Sequence, residues 1–137
     1  MIHVQNLTKL YGRKTALKNI SIDFAKGCVY GFMGENGAGK STLFRCIAAL
    51  ENFDGTIHID SGAKIGYMPD VPYFYPYIKG REHIEFCLKA SNTIYRKSDI
   101  DALNDSFQLP LEKYATGYST GMQKRLALMA LMLQKCD

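Results

Sequence analysis

Gly34-Glu35-Asn36-Gly37-Ala38-Gly39-Lys40-Ser41 is the stretch on which the fold turns. It matches G-x-x-x-x-G-K-[ST] at every fixed position, the pattern of a loop that cradles phosphate. Its three glycines let backbone N–H groups turn inward and approach phosphate oxygens closely. A helix opening at Lys40 adds the positive end of its dipole at the same point. In such a loop the Lys40 ammonium reaches the β- and γ-phosphates, the Ser41 hydroxyl ligates Mg²⁺, and Thr42 adds a hydrogen bond to a phosphate. The expected nucleotide-binding residues are therefore Gly34, Glu35, Asn36, Gly37, Ala38, Gly39, Lys40, Ser41 and Thr42. A dinucleotide fingerprint is excluded, because no third glycine follows Gly37 and Gly39 at the required spacing.

The flanks decide against a glycine-rich turn with an incidental lysine. Upstream, Cys28-Val29-Tyr30-Gly31-Phe32-Met33 is a continuous apolar run, suited to a strand buried on both faces. Downstream, Leu43, Phe44, Ile47 and Leu50 recur at helical spacing over residues 40–50. Strand, loop and helix thus follow in the order the motif requires.

Working outward, Ile2, Val4 and Leu7 open a strand, and Ile20, Ile22 and Phe24 alternate as a second, with a turn over residues 11–14 between them. Asp54-Gly55 is a turn before the alternating Thr56-Ile57-His58-Ile59. Residues 64–68 read as another short strand, ended by Pro69. Tyr73, Phe74, Tyr75 and Tyr77, set among Pro72 and Pro76, read as an ordered surface loop. The remainder is helical. Ile84 and Leu88 mark a helix from about Arg81. Ser98 is a candidate cap for a second, striped by Ile100, Leu103 and Phe107 and closed by Leu109-Pro110-Leu111. A last helix starts near Ser119 and is apolar almost all round, which predicts burial.

The chain of 137 residues is 47% apolar and 22% charged, the balance of a folded globular domain and not of a disordered one. Its net charge of +4 suits an anionic ligand and is too small to indicate nucleic acid. Cys28, Cys46, Cys87 and Cys136 form no CxxC pair and read as reduced structural thiols. No signal peptide opens the sequence, and the apolar run at residues 126–133 is far short of a membrane span.

Two further stretches make the sequence resemble the nucleotide-binding domain of an ABC transporter. Tyr118-Ser119-Thr120-Gly121-Met122-Gln123-Lys124-Arg125-Leu126 is similar to the ABC signature motif, and Asn6-Leu7-Thr8-Lys9-Leu10-Tyr11-Gly12 is similar to the opening strand with its adenine-stacking aromatic. The resemblance implies an α/β fold: a P-loop NTPase core, with a partial parallel sheet and N-terminal antiparallel strands, carrying a helical subdomain. The expected division is residues 1–79 for the core and 80–137 for the helical part. It implies ATP and Mg²⁺ as ligands, with Tyr11 against the adenine. It also implies a second ABC ATPase subunit, homo- or heterodimeric and head to tail, whose ATP would meet Ser119, Thr120 and Gly121. A bare Ser119 at that position is equally an ordinary helix cap. A membrane-spanning partner would hold the protein peripherally on the inner face of the cell membrane, with no nucleic acid involved.

Asp70 stands where the family carries a glutamine after the strand at residues 64–68. A carboxylate there can ligate Mg²⁺, which makes Lys40 and Asp70 the expected catalytic pair and Ser41 and Asp70 the expected metal ligands. An ordinary Asx turn is the other reading of Asp70. The string Pro69-Asp70-Val71-Pro72-Tyr73-Phe74-Tyr75 is similar to exporters of bacitracin-like peptides. The family also needs an apolar strand ending in Asp, usually followed by Glu, and a later histidine. Neither Asp60, after an alternating stretch, nor Asp137, after polar residues, qualifies, and His3, His58 and His83 come too early. The expectation is a chain ending before its catalytic strand, deficient in hydrolysis, with residues 28–33 left as an unpaired apolar edge prone to self-association. Two other functions fit parts of the sequence. A small phosphate-loop kinase would need a lid of arginines, for which only Arg81, Arg96 and Arg125 remain, and a non-enzymatic half-domain would dock on a complete subunit through residues 119–123.

Overall fold

The computed structural model describes residues 1–136, so Asp137 lies outside the described residues. The chain divides into two compact units, one from Met1 to Tyr67 and one from Met68 onward. The aromatic loop belongs to the second.

The first unit is a three-stranded antiparallel sheet with one helix. Strands β1 (Ile2–Tyr11), β2 (Lys14–Phe24) and β3 (Asp54–Ile59) lie in the order β2-β1-β3. Ile2 pairs with Phe24 on one side and Ile59 on the other; Val4 pairs with Ile22 and Ile57. The alternation expected from sequence therefore sets the register.

One irregularity changes the face of β1 halfway along. Asn6 and Asn19 both take left-handed backbone angles, φ 52° and 50°, and the β1–β2 register shifts between Val4 and Leu7, between Leu7 and Lys9, and again between Lys9 and Leu10. Two hydroxyls take up the amides displaced from the ladder: Asn6 N–H donates to Ser21 Oγ and Asn19 N–H to Thr8 Oγ1, each at 3.0 Å. Such a bulge inverts which residues face the core. Val4 is buried before it, and Leu7 and Lys9 are buried after it.

Helix α1 (Lys40–Ile47) lays Leu43, Cys46 and Ile47 against Val4, Leu7 and Leu17. It ends near the expected place, with Ala49 in a left-handed turn. The expected strands at residues 28–33 and 64–68 are not formed. Val29 and Met33 are 100% and 98% exposed. A parallel strand is held by ladders to its neighbours. Among the described residues no strand pairs with either segment, so apolar character alone does not organise them. The antiparallel part of the expected sheet is present and the parallel part is absent among the described residues.

The second unit is helical: α2 (Gly80–Ala90), α3 (Lys97–Phe107) and α4 (Thr120–Gln134), with a short 3₁₀ turn (Ala115–Gly117) before the last. Its core gathers Phe74, Ile84, Leu88, Ile100, Leu126 and Met129. Two sequence expectations are corrected here. Helix α3 is capped by Arg96 and not Ser98, because the Asp99 carboxylate reaches back to accept the Arg96 N–H at 2.9 Å. Helix α4 buries only the stripe of Leu126, Met129 and Ala130, while Leu128 and Met132 are exposed. No helix among the described residues is long and apolar enough to cross a membrane.

Candidate nucleotide-binding site

The phosphate-loop pattern closes on itself through Lys40. Lys40 Nζ donates to the carbonyl oxygens of Gly34 at 2.6 Å and Glu35 at 2.7 Å, and Ala38 N–H donates to Glu35 O at 3.2 Å. Helix α1 begins where Gly39, at φ 90°, turns the chain and accepts the Leu43 N–H at 2.9 Å. A side chain at Gly39 is shut out twice. Its conformation is left-handed, and a Cβ would lie 2.6 Å from the Ala16 carbonyl oxygen on β2. The glycine therefore lets the loop press against the sheet.

The first amides of any helix lack intrahelical acceptors. Helices α2 and α3 place an acid in the first turn, Glu82 and Asp99, whereas α1 has none. Its positive end is thus uncompensated by the chain and is suited to an anion. Ser41 is exposed at this end, and Thr42 is buried.

Tyr11 lies in the same unit and is 41% exposed. Its hydroxyl donates to Glu51 Oε1 at 2.9 Å and accepts from Arg45 Nη2 at 3.3 Å. Lys9 Nζ stands over the ring, 4.9 Å from its centroid, and is paired to Glu51 Oε2 at 3.1 Å. The Glu51 carboxyl is held below its ordinary range, first by Lys9 and then by the Tyr11 hydroxyl. The Tyr11 hydroxyl, with Glu51, pushes the Arg45 guanidinium above its ordinary value. Sequence reading missed Lys9, Arg45 and Glu51. The only available signal was a lysine two residues from Tyr11 on an amphipathic strand, and the bulge that turns it inward has no sequence mark beyond Asn6 and Asn19.

In the second unit, Ser119 caps α4, its Oγ accepting the Met122 N–H at 3.3 Å. Thr120 and Gly121 are exposed, and a Cβ at Gly121 would meet nothing within 4 Å. Like α1, α4 has no acid in its first turn. Asp70 is bound to Lys124 of α4 at 3.0 Å. The later arginines are committed within the unit: Arg81 to Glu112 and Asp101, Arg96 to Asp99, and Arg125 to the Phe107 carbonyl. Asp60, of the first unit, pairs with the N-terminal amine at 2.6 Å. No group of three or more His, Cys, Asp or Glu converges among the described residues.

A sequence model described as ABC transporter matches residues 17–137. The bacitracin transport ATP-binding protein BcrA of Enterococcus faecalis is 30% identical, the match covering 98% of this chain and 48% of that protein. The polysialic acid transport ATP-binding protein KpsT of Escherichia coli is 33% identical over 100% of this chain and 66% of its own length. The chain spans about half the length of the bacitracin relatives it matches. Among solved structures, the dimeric bacterial ABC transporter cassette MJ0796 superposes with a TM-score of 0.85 at 22% identity, covering 99% of this chain and 71% of that one. The shared fold is that of an ABC cassette.

Proposed function

The chain belongs to the ABC transporter family, and from that premise we propose that it is the ATP-binding portion of an ABC-type ATPase that drives export through a membrane-spanning partner. One observation carries the reading: a loop fitting the phosphate pattern at every fixed position, closed by Lys40 onto its own carbonyls, at the uncompensated positive end of α1.

In this reading the backbone N–H groups of residues 34–39 receive the phosphates. The Lys40 ammonium leaves the Gly34 and Glu35 carbonyls for the β- and γ-phosphates, where it offsets charge developing during attack by water. Tyr11 carries the adenine. Ser41, and Asp70 if released from Lys124, would hold Mg²⁺, which would neutralise phosphate charge. Ser119, Thr120 and Gly121 offer a capped helix end, free of steric bulk, to ATP held by a second ABC subunit arranged head to tail.

The exposed aromatics Tyr73, Tyr75 and Phe86 stack edge to face at 5.4 and 5.6 Å and suit the interface with the membrane partner. That partner would hold the protein on the inner face of the cell membrane. Similarity to BcrA favours a bacitracin-like peptide as cargo. The arginines that a kinase lid would need are already paired.

Asp60 sits in an exposed pair with the N-terminus and does not fit the carboxylate that orients the attacking water. Binding without efficient turnover follows. Phosphate release from Mg-ATP should stay near background for this chain. Turnover abolished by Lys40→Ala would contradict that.

A further inference from the structure

The Tyr11 ring is fixed by more contacts than a packing tyrosine needs. Glu51 divides its two oxygens, giving Oε2 to Lys9 at 3.1 Å and Oε1 to the Tyr11 hydroxyl at 2.9 Å. Its side chain is only 23% exposed, so the carboxylate is not simply solvated. Lys9 cannot wander, because Nζ also donates to the Asn52 carbonyl at 2.6 Å. Arg45 adds Nη2 to the Tyr11 hydroxyl, and its Nε lies 3.5 Å from Glu51 Oε1, in ion-pair range but not aligned for a hydrogen bond. Arg45 stands on α1, the helix that the phosphate loop opens. The hydroxyl that donates to Glu51 and accepts from Arg45 therefore ties Tyr11 to the phosphate-binding helix.

Resting on the reading that Tyr11 carries the adenine, we propose that Glu51 is the positioning residue of a one-faced nucleobase platform. It anchors the Tyr11 hydroxyl and holds Lys9 over one face of the ring, so that the base stacks on the opposite face. The bulge at Asn6 makes this possible. By shifting the register of β1 it turns Leu7 and Lys9 inward, and Lys9 Nζ stands over the Tyr11 ring. A ring held in place before the ligand arrives loses less rotational freedom on binding.

The test compares Mg-ATP with Mg-tripolyphosphate on the chain, since the ratio of affinities isolates the contribution of the nucleoside. Tyr11→Ala should lower that ratio by about 5- to 150-fold, the range of a base–aromatic stack. Glu51→Ala should lower it about threefold to tenfold, the scale of one hydrogen bond. Glu51→Gln, whose amide oxygen still accepts from the hydroxyl, should recover most of the loss. In a Tyr11→Phe background Glu51→Ala should add nothing, because the anchored hydroxyl is already gone and the Asn52 carbonyl still holds Lys9 in place.

A ratio insensitive to Tyr11→Ala would remove the platform and the proposal with it. A ratio sensitive to Tyr11→Ala but unmoved by Glu51→Ala would leave the platform standing and overturn the role of Glu51. So would a Glu51→Ala effect that persists with Phe at position 11, or an equal fall in tripolyphosphate affinity, which would mean that Glu51 acts through folding.

Discussion

Asp70 Oδ1 lies 3.0 Å from Lys124 Nζ, so the carboxylate expected to meet a metal is paired instead with the helix that carries the signature sequence. The Asp70 side chain is 91% exposed, which keeps the pair weak. Exposed pairs of this kind contribute about 0–1 kcal/mol. The contact therefore does not lock Asp70, and a divalent ion can compete for it. In the proposed reading, where Asp70 helps hold the metal of a bound nucleotide, the same carboxylate would be repelled by a triphosphate without metal.

The chain's affinity for ATP should accordingly depend steeply on Mg²⁺, and Asp70→Gln should flatten that dependence, because an amide neither repels the phosphates nor needs neutralising. Lys124→Met should change stability by less than about 1 kcal/mol. Titrations of ATP with and without Mg²⁺ read the first effect. Equal affinities in the unaltered chain would contradict it.

Gly39 and Gly37 separate conformation from space. Both have left-handed backbones, φ 90° and 87°, but only Gly39 has a carbonyl where a Cβ would go. Gly37→Ala should cost about 1–2 kcal/mol from conformation alone. Gly39→Ala should cost more than that, because the loop must also move away from Ala16. Urea unfolding of the two variants checks the order, and equal losses would show that the approach to β2 is not tight.

His83 gives the second unit a pH response. Its ring packs against Phe74 with centroids 4.6 Å apart, its Nε2 meets Cys87 Sγ at 3.6 Å, and its Nδ1 has no hydrogen-bond partner. Burial pushes the imidazole below its ordinary value and the Cys87 thiol above its own, so both sit uncharged. The unfolded chain binds the proton first, near pH ~6.5. Stability is therefore complete above that value and falls as the pH drops below it, levelling off under the folded pKa. The lowered carboxylates at Glu51, Asp60, Asp99 and Glu112 lose their contributions only at still lower pH. Unfolding midpoints at about pH 7.5 and 5.5 should differ for the parent chain and differ less for His83→Phe. Equal differences would assign the response elsewhere.

The parts of this fold that local physics determines were readable from the residues. Alternation at Ile20, Ile22 and Phe24 placed β2, the glycine-lysine pattern placed the loop and the start of α1, and Ser119 was found as the cap of α4. What depends on distant partners was not readable. Residues 28–33 have the composition of a buried strand and lack a neighbouring strand among the described residues. Ser98 lies inside the helix because the helix starts earlier, at Lys97, where the Asp99 carboxylate accepts the Arg96 N–H. Lys9 became a buried partner of Glu51 only because two asparagines shift the register. The Lys9–Glu51–Arg45 cluster joins β1, α1 and the segment after it, and no local pattern connects them.

The central claim is that Lys40 and its loop receive the phosphates of ATP, and equilibrium binding of Mg-ATP to the chain and to Lys40→Ala tests it most directly. Removing the two-carbonyl clasp leaves the glycine loop intact but takes away one charged donor, worth about 1.5–3 kcal/mol to a phosphate. The account predicts saturable binding to the parent chain and an affinity about 10- to 150-fold weaker for Lys40→Ala. No binding to the parent chain, or the same affinity in both, would contradict it.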